Sequence, residues 1–136
     1  MLPSSEMGKQ SPMLETFEEA LREHLAAIQD RDIERFAATL SHSEDVQVIG
    51  PDAGAVRGYD AVLAAHRGWF SSPFAWTFQP KVVWKQVTPQ MGAALLDVDY
   101  REDGTRKEFL LLTLFRREPE GWRFLYDQNT ARGLPS

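Results

Sequence analysis

The amino-acid sequence predicts an α+β fold, in which a cone-shaped, curved, mixed or antiparallel sheet wraps around three N-terminal helices. Apolar residues recur every three or four positions up to about residue 70, which is typical of amphipathic helices. Beyond that point they alternate with polar residues, which is typical of strands. Pro80 falls within the first long strand, and proline is tolerated in a sheet only at edges and bulges, where sheets bend. Because three helices cannot bury their apolar faces alone, we expect the sheet to curve around them.

Composition limits the classes of function. The chain has 136 residues, a formal net charge of −5 and no cysteine, which excludes disulfides and thiolate chemistry. Its acidic balance and the lack of a basic stripe argue against a nucleic-acid partner. No stretch approaches the roughly 18 apolar residues of a membrane span, so we expect a cytoplasmic protein without membrane contact. We expect residues 1–12 to be a flexible tail, 13–131 a single domain and 132–136 a short tail.

Three helices are predicted in the first half of the chain. Ser11-Pro12 is a favourable start for the first, which carries apolar residues from Leu14 to Ile28. The second follows Asp32 and the third follows Gly58, ending near Phe70. Short strands over 46–49 and 55–57 separate the last two helices.

Four long strands are predicted in the second half. Their expected ranges are 74–87, 91–101, 107–117 and 122–129, joined by short turns that include Asp103-Gly104. Strict alternation places Tyr126, Gln128 and Thr130 on the helix side of the last strand, and Asp127 and Asn129 on the other. The same alternation directs Asp97 and Asp99 outward, where we expect solvated or ion-paired carboxylates.

Two histidines fall within the apolar arcs of different helices, His24 on the first and His66 on the third. Each is either a hydrogen-bonded core residue or a polar group of a binding site. Aromatic walls with a few convergent polar groups are typical of ligand pockets, so we expect a pocket with His24 and His66 as candidate acid–base catalysts. The predicted ligand contacts are Tyr126, Gln128, Tyr100, Thr113, Trp69, Phe70 and Trp76. No metal or cofactor is expected, because no H-x-x-x-H, H-x-H or nucleotide-binding motif occurs.

The strand over 107–117 is apolar on both faces, since Leu110, Leu112 and Leu114 alternate with Phe109 to Phe115. An outer sheet face of this kind requires cover. We therefore expect a homodimer formed through the outer face of the sheet.

The element order, the R-D before Ile33, the R-G-Y-D-A-V at residues 57–62 and the closing G-W-R-F-L-Y-D-Q-N-T resemble the nuclear transport factor 2-like superfamily. Within it the chain is most similar to SnoaL-like and ketosteroid-isomerase-like proteins, over about residues 13–130. The resemblance implies a cystatin-like α+β roll. It also implies that His24 and His66 occupy the positions of two pocket tyrosines of the steroid isomerases. The two catalytic acids of that pattern align near Ile49-Gly50 and Thr113, where this chain has no carboxylate, and the only nearby carboxylate, Asp52, is displaced in sequence.

Two hypotheses about function follow. The first is a protein that binds a small, largely apolar molecule, with or without catalysis of a cofactor-independent isomerisation, dehydration or cyclisation. The second is a non-catalytic dimeric module whose buried polar groups satisfy one another. A cavity beside His24 and His66 distinguishes the first from the second.

Overall fold

A computed structural model of the chain describes residues 14–132. Helices α1 (Phe17–Gln29), α2 (Ile33–Thr39) and α3 (Tyr59–Phe70) precede most of the sheet. The strands are β1 (Gln47–Ile49), β2 (Ala55–Arg57), β3 (Trp76–Val87), β4 (Met91–Glu102), β5 (Thr105–Glu118) and β6 (Gly121–Ala131). The predicted α+β architecture is confirmed. No helix within the described range is long and apolar enough to cross a membrane.

The six strands form one curved sheet in the order β2-β1-β6-β5-β4-β3. Strand β1 pairs with β6 in parallel, and the other neighbours are antiparallel. The long strands β3 to β6 are the predicted meander, and its Asp103-Gly104 turn has the positive φ angles, 50° and 85°, that such a sequence favours. Pro80 is accommodated because β3 is an edge strand.

Helix α1 begins later than the sequence predicts. Its N-cap is Thr16, whose hydroxyl oxygen accepts a hydrogen bond from the Glu19 amide at 3.0 Å. Leu14 instead forms a β-bridge with Gly121, and its carbonyl accepts the Trp122 amide at 2.8 Å. The prediction that the helix starts at Ser11 and includes Leu14 was therefore wrong, because the backbone groups of Leu14 bond to the sheet. Ser11-Pro12 and the two predicted tails, apart from Arg132, lie outside the described residues.

The concave face of the sheet packs on the helices. On β4, Ala94, Leu96 and Val98 are fully buried, as predicted from their alternation. Asp97 and Asp99 point to the convex face and form ion pairs, Asp97 with Arg132 at 2.9 Å. Asp99 pairs with Arg101 and Arg106, each at 3.4 Å. The prediction that these carboxylates face outward and form ion pairs is confirmed.

Two β-bulges interrupt the long pairings. Val83 is an extra residue on β3, and Leu125 is an extra residue on β6, because Phe124 pairs with Phe115 and Tyr126 with Leu114. A bulge bends its strand and shifts the facing of every residue beyond it. The bulge at Leu125 decides which side chains of β6 enter the interior.

Gly92 allows α1 to lie directly on β4. A Cβ at this position would be 2.5 Å from the ring of Phe17, which is buried. We therefore expect Gly92→Ala to lower the free energy of unfolding by about 1–3 kcal/mol through overpacking.

The matched control is Gly68→Ala, because Gly68 is within α3 with no neighbour inside 4 Å. That control should raise stability by about 0.5–1 kcal/mol. Urea unfolding measures both, and equal stability of the two variants would contradict this packing.

Candidate functional site

A cavity of about 840 Å³ opens between the sheet and α3. Its wall includes aromatic and aliphatic side chains, and its rim is charged. The lining residues are Val48, Pro51, Asp52, His66, Trp69, Tyr100, Glu102, Arg106, Lys107, Glu108, Phe109, Asn129, Ala131 and Arg132. The volume lies within the range of small-molecule sites.

The interior side chains of β5 and β6 form successive layers from the cavity towards the core. The cross-strand pairs, in order of depth, are Phe109 with Ala131, Leu111 with Asn129, Thr113 with Asp127, and Phe115 with Phe124. Phe109, Ala131 and Asn129 of the first two layers line the cavity, and the last layer is fully buried. Thr113 and Asp127 therefore form a polar layer between the cavity and an aromatic core.

Asp127 is the most unusual group in this region. Its side chain is 7% exposed, and no cation of residues 14–132 lies within salt-bridge distance. Burial disfavours the charged carboxylate and raises the pKa of Asp127 to about 8. At neutral pH the group is mostly a neutral carboxylic acid that can donate a proton.

Asn129 and Thr113 flank this acid. The Asn129 side-chain amide donates to the Ile49 carbonyl at 2.8 Å and to Asp127 Oδ1 at 3.4 Å. Thr113 is on the neighbouring strand, and its buried hydroxyl has no hydrogen-bond partner within 14–132. An unsatisfied buried hydroxyl is costly. Thr113, a predicted ligand contact, and Asp127 both lie behind the cavity wall and are not among the residues that line the cavity.

His66 supplies the imidazole of the cavity wall. Its Nδ1–H donates to the Val62 carbonyl one turn earlier, at 2.9 Å, so its Nε2 carries a lone pair. Burial lowers the pKa of His66, although the bond to Val62 opposes the shift. His66 is therefore a neutral hydrogen-bond acceptor at physiological pH.

His24 lies deeper, in the aromatic core. Thr39 donates its hydroxyl proton to the Phe36 carbonyl at 2.7 Å, so it accepts from His24 Nδ1–H, also at 2.7 Å. Its ring stacks on Phe124 at 4.4 Å. Burial, and secondarily the charge of His66, lowers the pKa of His24 to about 3. His24 does not line the cavity. It is a core residue whose Nδ1–H has its hydrogen-bond acceptor in the Thr39 hydroxyl.

The predicted aromatic wall is assembled in part. Trp69 and Tyr100 line the cavity, and the Trp69 indole N–H donates to the Tyr100 hydroxyl at 3.2 Å. The Tyr100 hydroxyl donates to Glu102 at 2.8 Å, and burial raises the pKa of Tyr100 to about 12. Trp76 stacks on Trp69 at 4.4 Å, and both Trp76 and Phe70 are buried behind the wall.

Tyr126 and Gln128 do not face the helices, so the predicted facing of both residues was wrong. The Tyr126 hydroxyl donates to Gln128 on the convex face at 3.0 Å, and Gln128 is exposed. The reason is the extra residue Leu125, which exchanges the two faces of β6 beyond it. Thr130, predicted to face inward, is also exposed.

Sequence reasoning therefore missed Asp127 and Asn129 as interior residues. The only trace of the bulge in the sequence is the uninterrupted apolar run Phe124-Leu125-Tyr126, which breaks the alternation. Asp52, noted as the displaced carboxylate, does line the cavity at its exposed edge.

The rim charges are mutually compensated. Lys107 pairs with Glu102 at 3.8 Å, and Arg106 pairs with Glu108 at 3.6 Å. Among the described residues, no three His, Asp or Glu side chains cluster as metal ligands would.

Comparison with solved structures supports the fold. A calcium/calmodulin-dependent protein kinase type II association domain, provisionally assigned, from Thiobacillus denitrificans is 25% identical, with a TM-score of 0.80 over 90% of this chain and 99% of that one. A provisionally assigned dehydratase of the nuclear transport factor 2-like family from Streptomyces avermitilis is 15% identical, with a TM-score of 0.72 over 85% and 92%. A ketosteroid isomerase-like protein from Erwinia carotovora atroseptica is 21% identical, with a TM-score of 0.67 over 86% and 94%.

Sequence comparison identifies the family. No curated protein sequence matches the chain significantly. The profile of the SnoaL-like domain matches residues 18–129, which contain all three helices but the first residue of α1, and the sheet as far as Asn129. The chain therefore belongs to the SnoaL-like domain family.

Proposed function

We propose that this protein binds a small, uncharged, largely apolar molecule in the cavity and catalyses a cofactor-independent proton transfer on it. The observation that carries the proposal is Asp127, a buried carboxyl group without a cationic partner in the described chain, one layer below the cavity. A carboxyl kept neutral near pH 7 can act as a general acid, and after donation as a general base.

The neighbouring groups have complementary roles. Asn129 lines the cavity and donates to Asp127 Oδ1 at 3.4 Å, so it connects the acid with the cavity wall. Thr113, whose hydroxyl has no partner within 14–132, lies opposite Asp127 on β5. The lone pair on His66 Nε2 accepts a proton or a hydroxyl hydrogen from the other side of the substrate. Trp69 and Tyr100 provide apolar surface for a ring or chain.

Proton shuttling between neutral groups suits three reaction classes. Isomerisation moves a proton from one carbon to another, dehydration removes a proton and a protonated hydroxyl, and cyclisation activates a carbonyl by protonation. None of these requires a redox partner. The similarity to proteins named as a dehydratase and as ketosteroid isomerase-like is compatible with this range.

A non-catalytic interaction module is the second candidate, favoured by the similarity to a kinase association domain. Its basis in this chain is the convex face of the sheet. The cross-strand row Trp84, Leu95 and Leu112 is apolar, and Trp84 is 47% exposed. We propose that a second copy of the chain covers this face, whichever function the cavity has.

The first test measures stability against pH. Asp127 has its pKa raised from about 4 to about 8, so the native state holds a proton that the unfolded state releases, and stability is lost as pH rises between these values. The lowered pKa values of His24 and His66 act in the opposite direction, but only below about pH 6.5, the ordinary histidine value. Between pH 6.5 and 8 we therefore expect the free energy of unfolding to fall by about 1–2 kcal/mol.

Asp127→Asn should remove most of this slope, because an amide of the same shape does not titrate. The control is Asp97→Asn, which changes a surface carboxylate and should keep the slope of the wild type. Urea unfolding at several pH values measures all three proteins. A wild-type slope retained by Asp127→Asn would contradict a neutral carboxyl group at this position.

The second test identifies ligand and turnover. A thermal-shift screen with uncharged cyclic ketones, hydroxyketones and phenols should yield compounds that raise the melting temperature, and product formation is then followed by NMR. We expect Asp127→Asn to retain binding but to lower turnover by about 10²–10⁴-fold, the usual contribution of a general acid or base. His66→Phe should weaken binding.

Tyr126→Phe is the control for this screen, because the Tyr126 hydroxyl is on the convex face and should affect neither binding nor turnover. If the compounds bind but none of them is converted, the protein binds its ligand without catalysis, and the catalytic part of the proposal is refuted. Equal effects of Tyr126→Phe and Asp127→Asn would contradict the assignment of the interior face.

The third test concerns assembly. We expect the wild type to sediment as a dimer at micromolar concentration and Leu112→Lys to sediment as a monomer, since two lysines would face each other across a two-fold interface. Thr77→Lys, on the exposed part of β3, is the control and should remain dimeric. A monomeric wild type in analytical ultracentrifugation would refute the dimer.

A further inference from the structure

A second cleft, of about 410 Å³, lies between the loop after α2 and the ends of β5 and β6. It shares no lining residue with the large cavity. Its principal polar residues are Ser41, His42, Arg116, Glu118, Glu120 and Arg123. Arg116 and Arg123 are cross-strand partners on β5 and β6, and both line the cleft.

One wall of the cleft is internally satisfied. Arg116 donates to Glu118 Oε2 from Nε at 3.1 Å and from Nη2 at 3.0 Å, and it donates to Ser41 Oγ at 3.1 Å. The Ser41 hydroxyl donates to the same Glu118 oxygen at 2.5 Å. Arg116 also reaches Asp45 at 3.4 Å. The polar groups of this wall therefore bond to one another and need no ligand as a partner.

Arg123 differs from its neighbour. It is 7% exposed, and its only hydrogen bond within residues 14–132 runs from Nη1 to the Trp122 carbonyl, at 3.1 Å. No carboxylate of that range forms a salt bridge with it. A guanidinium has five N–H donors, so four are left without a protein acceptor on a side chain that lines the cleft.

We propose that this cleft is a binding site for an oxyanion, a carboxylate or a phosphate group, held by the free edge of the Arg123 guanidinium. The unpaired Nε and Nη2 groups of Arg123 are not among the fully buried polar atoms of residues 14–132 that lack a partner, so they remain open to solvent. The planar fork of arginine matches two oxygens of one carboxylate or phosphate. His42 also lines the cleft, but its Nε2–H is directed to the Ala37 carbonyl at 3.4 Å, so it is not counted as a donor to the anion.

The two acids of the cleft set its selectivity. Glu118 is neutralised by Arg116, whereas Glu120 forms no salt bridge among the described residues and leaves a negative charge in the lining. This charge favours a singly charged carboxylate over a doubly charged phosphate. Removing it should strengthen the binding of either anion.

The experiment is an NMR titration of the arginine Nε–Hε resonances with inorganic phosphate and, separately, with acetate at constant ionic strength. We expect a saturable shift at Arg123, and an affinity at least about tenfold weaker in Arg123→Gln, the usual loss for a charge-assisted hydrogen bond. Arg22→Gln, which removes an exposed arginine from α1, should bind as the wild type does. Glu120→Gln should bind several-fold more tightly.

Saturation by acetate identifies a carboxylate site, and saturation by phosphate alone identifies a phosphate site. Either outcome supports the proposal if the same saturable binding is absent from Arg123→Gln. Unchanged binding in Arg123→Gln would overturn it. If Arg123→Gln does not fold, the wild-type titration decides, because no saturable shift at Arg123 would also refute the site. Arg123→Lys, which keeps the charge but loses the fork, should bind with intermediate affinity.

Discussion

The extra residue Leu125 in β6 is the feature on which the interior of this protein depends. Up to Phe124 the strand follows the simple alternation, with Trp122 and Phe124 buried against the helices. Past the bulge the faces are exchanged, so that Asp127 and Asn129 enter the cone. Without the bulge, Tyr126 and Gln128 would occupy the same places and the interior would contain no carboxyl group.

Burying Asp127 has an electrostatic consequence for the whole cavity. The carboxyl is neutral near pH 7, and so are His66 and His24, because burial disfavours the charged form of each group. The interior thus has strong hydrogen-bonding groups without net charge.

Charge is instead concentrated outside the cone, where water and partner groups compensate it. Asp97 and Asp99 are held by arginines on the convex face, and the rim of the cavity alternates between acids and bases. Arg123 is the exception, since it is buried on the convex side without an anion from the described chain. The two clefts therefore differ in their unpaired groups, since the second contains a guanidinium without a carboxylate partner among the described residues.

The sequence by itself determined the element types, the meander, the inward face of β4 and the family. These follow from local periodicity, from turn residues such as Asp103-Gly104 and from the alternation of Ala94 to Tyr100 against Asp97 and Asp99. It also placed His66, Trp69 and Tyr100 beside a common space. Only the tertiary structure decided the facing of Asp127 and the start of α1, because both depend on bonds to distant strands. Leu125 is displaced by its pairing with β5, and Leu14 is held by Gly121. The periodicity of a sequence reflects local structure, so it does not reveal such long-range hydrogen bonds.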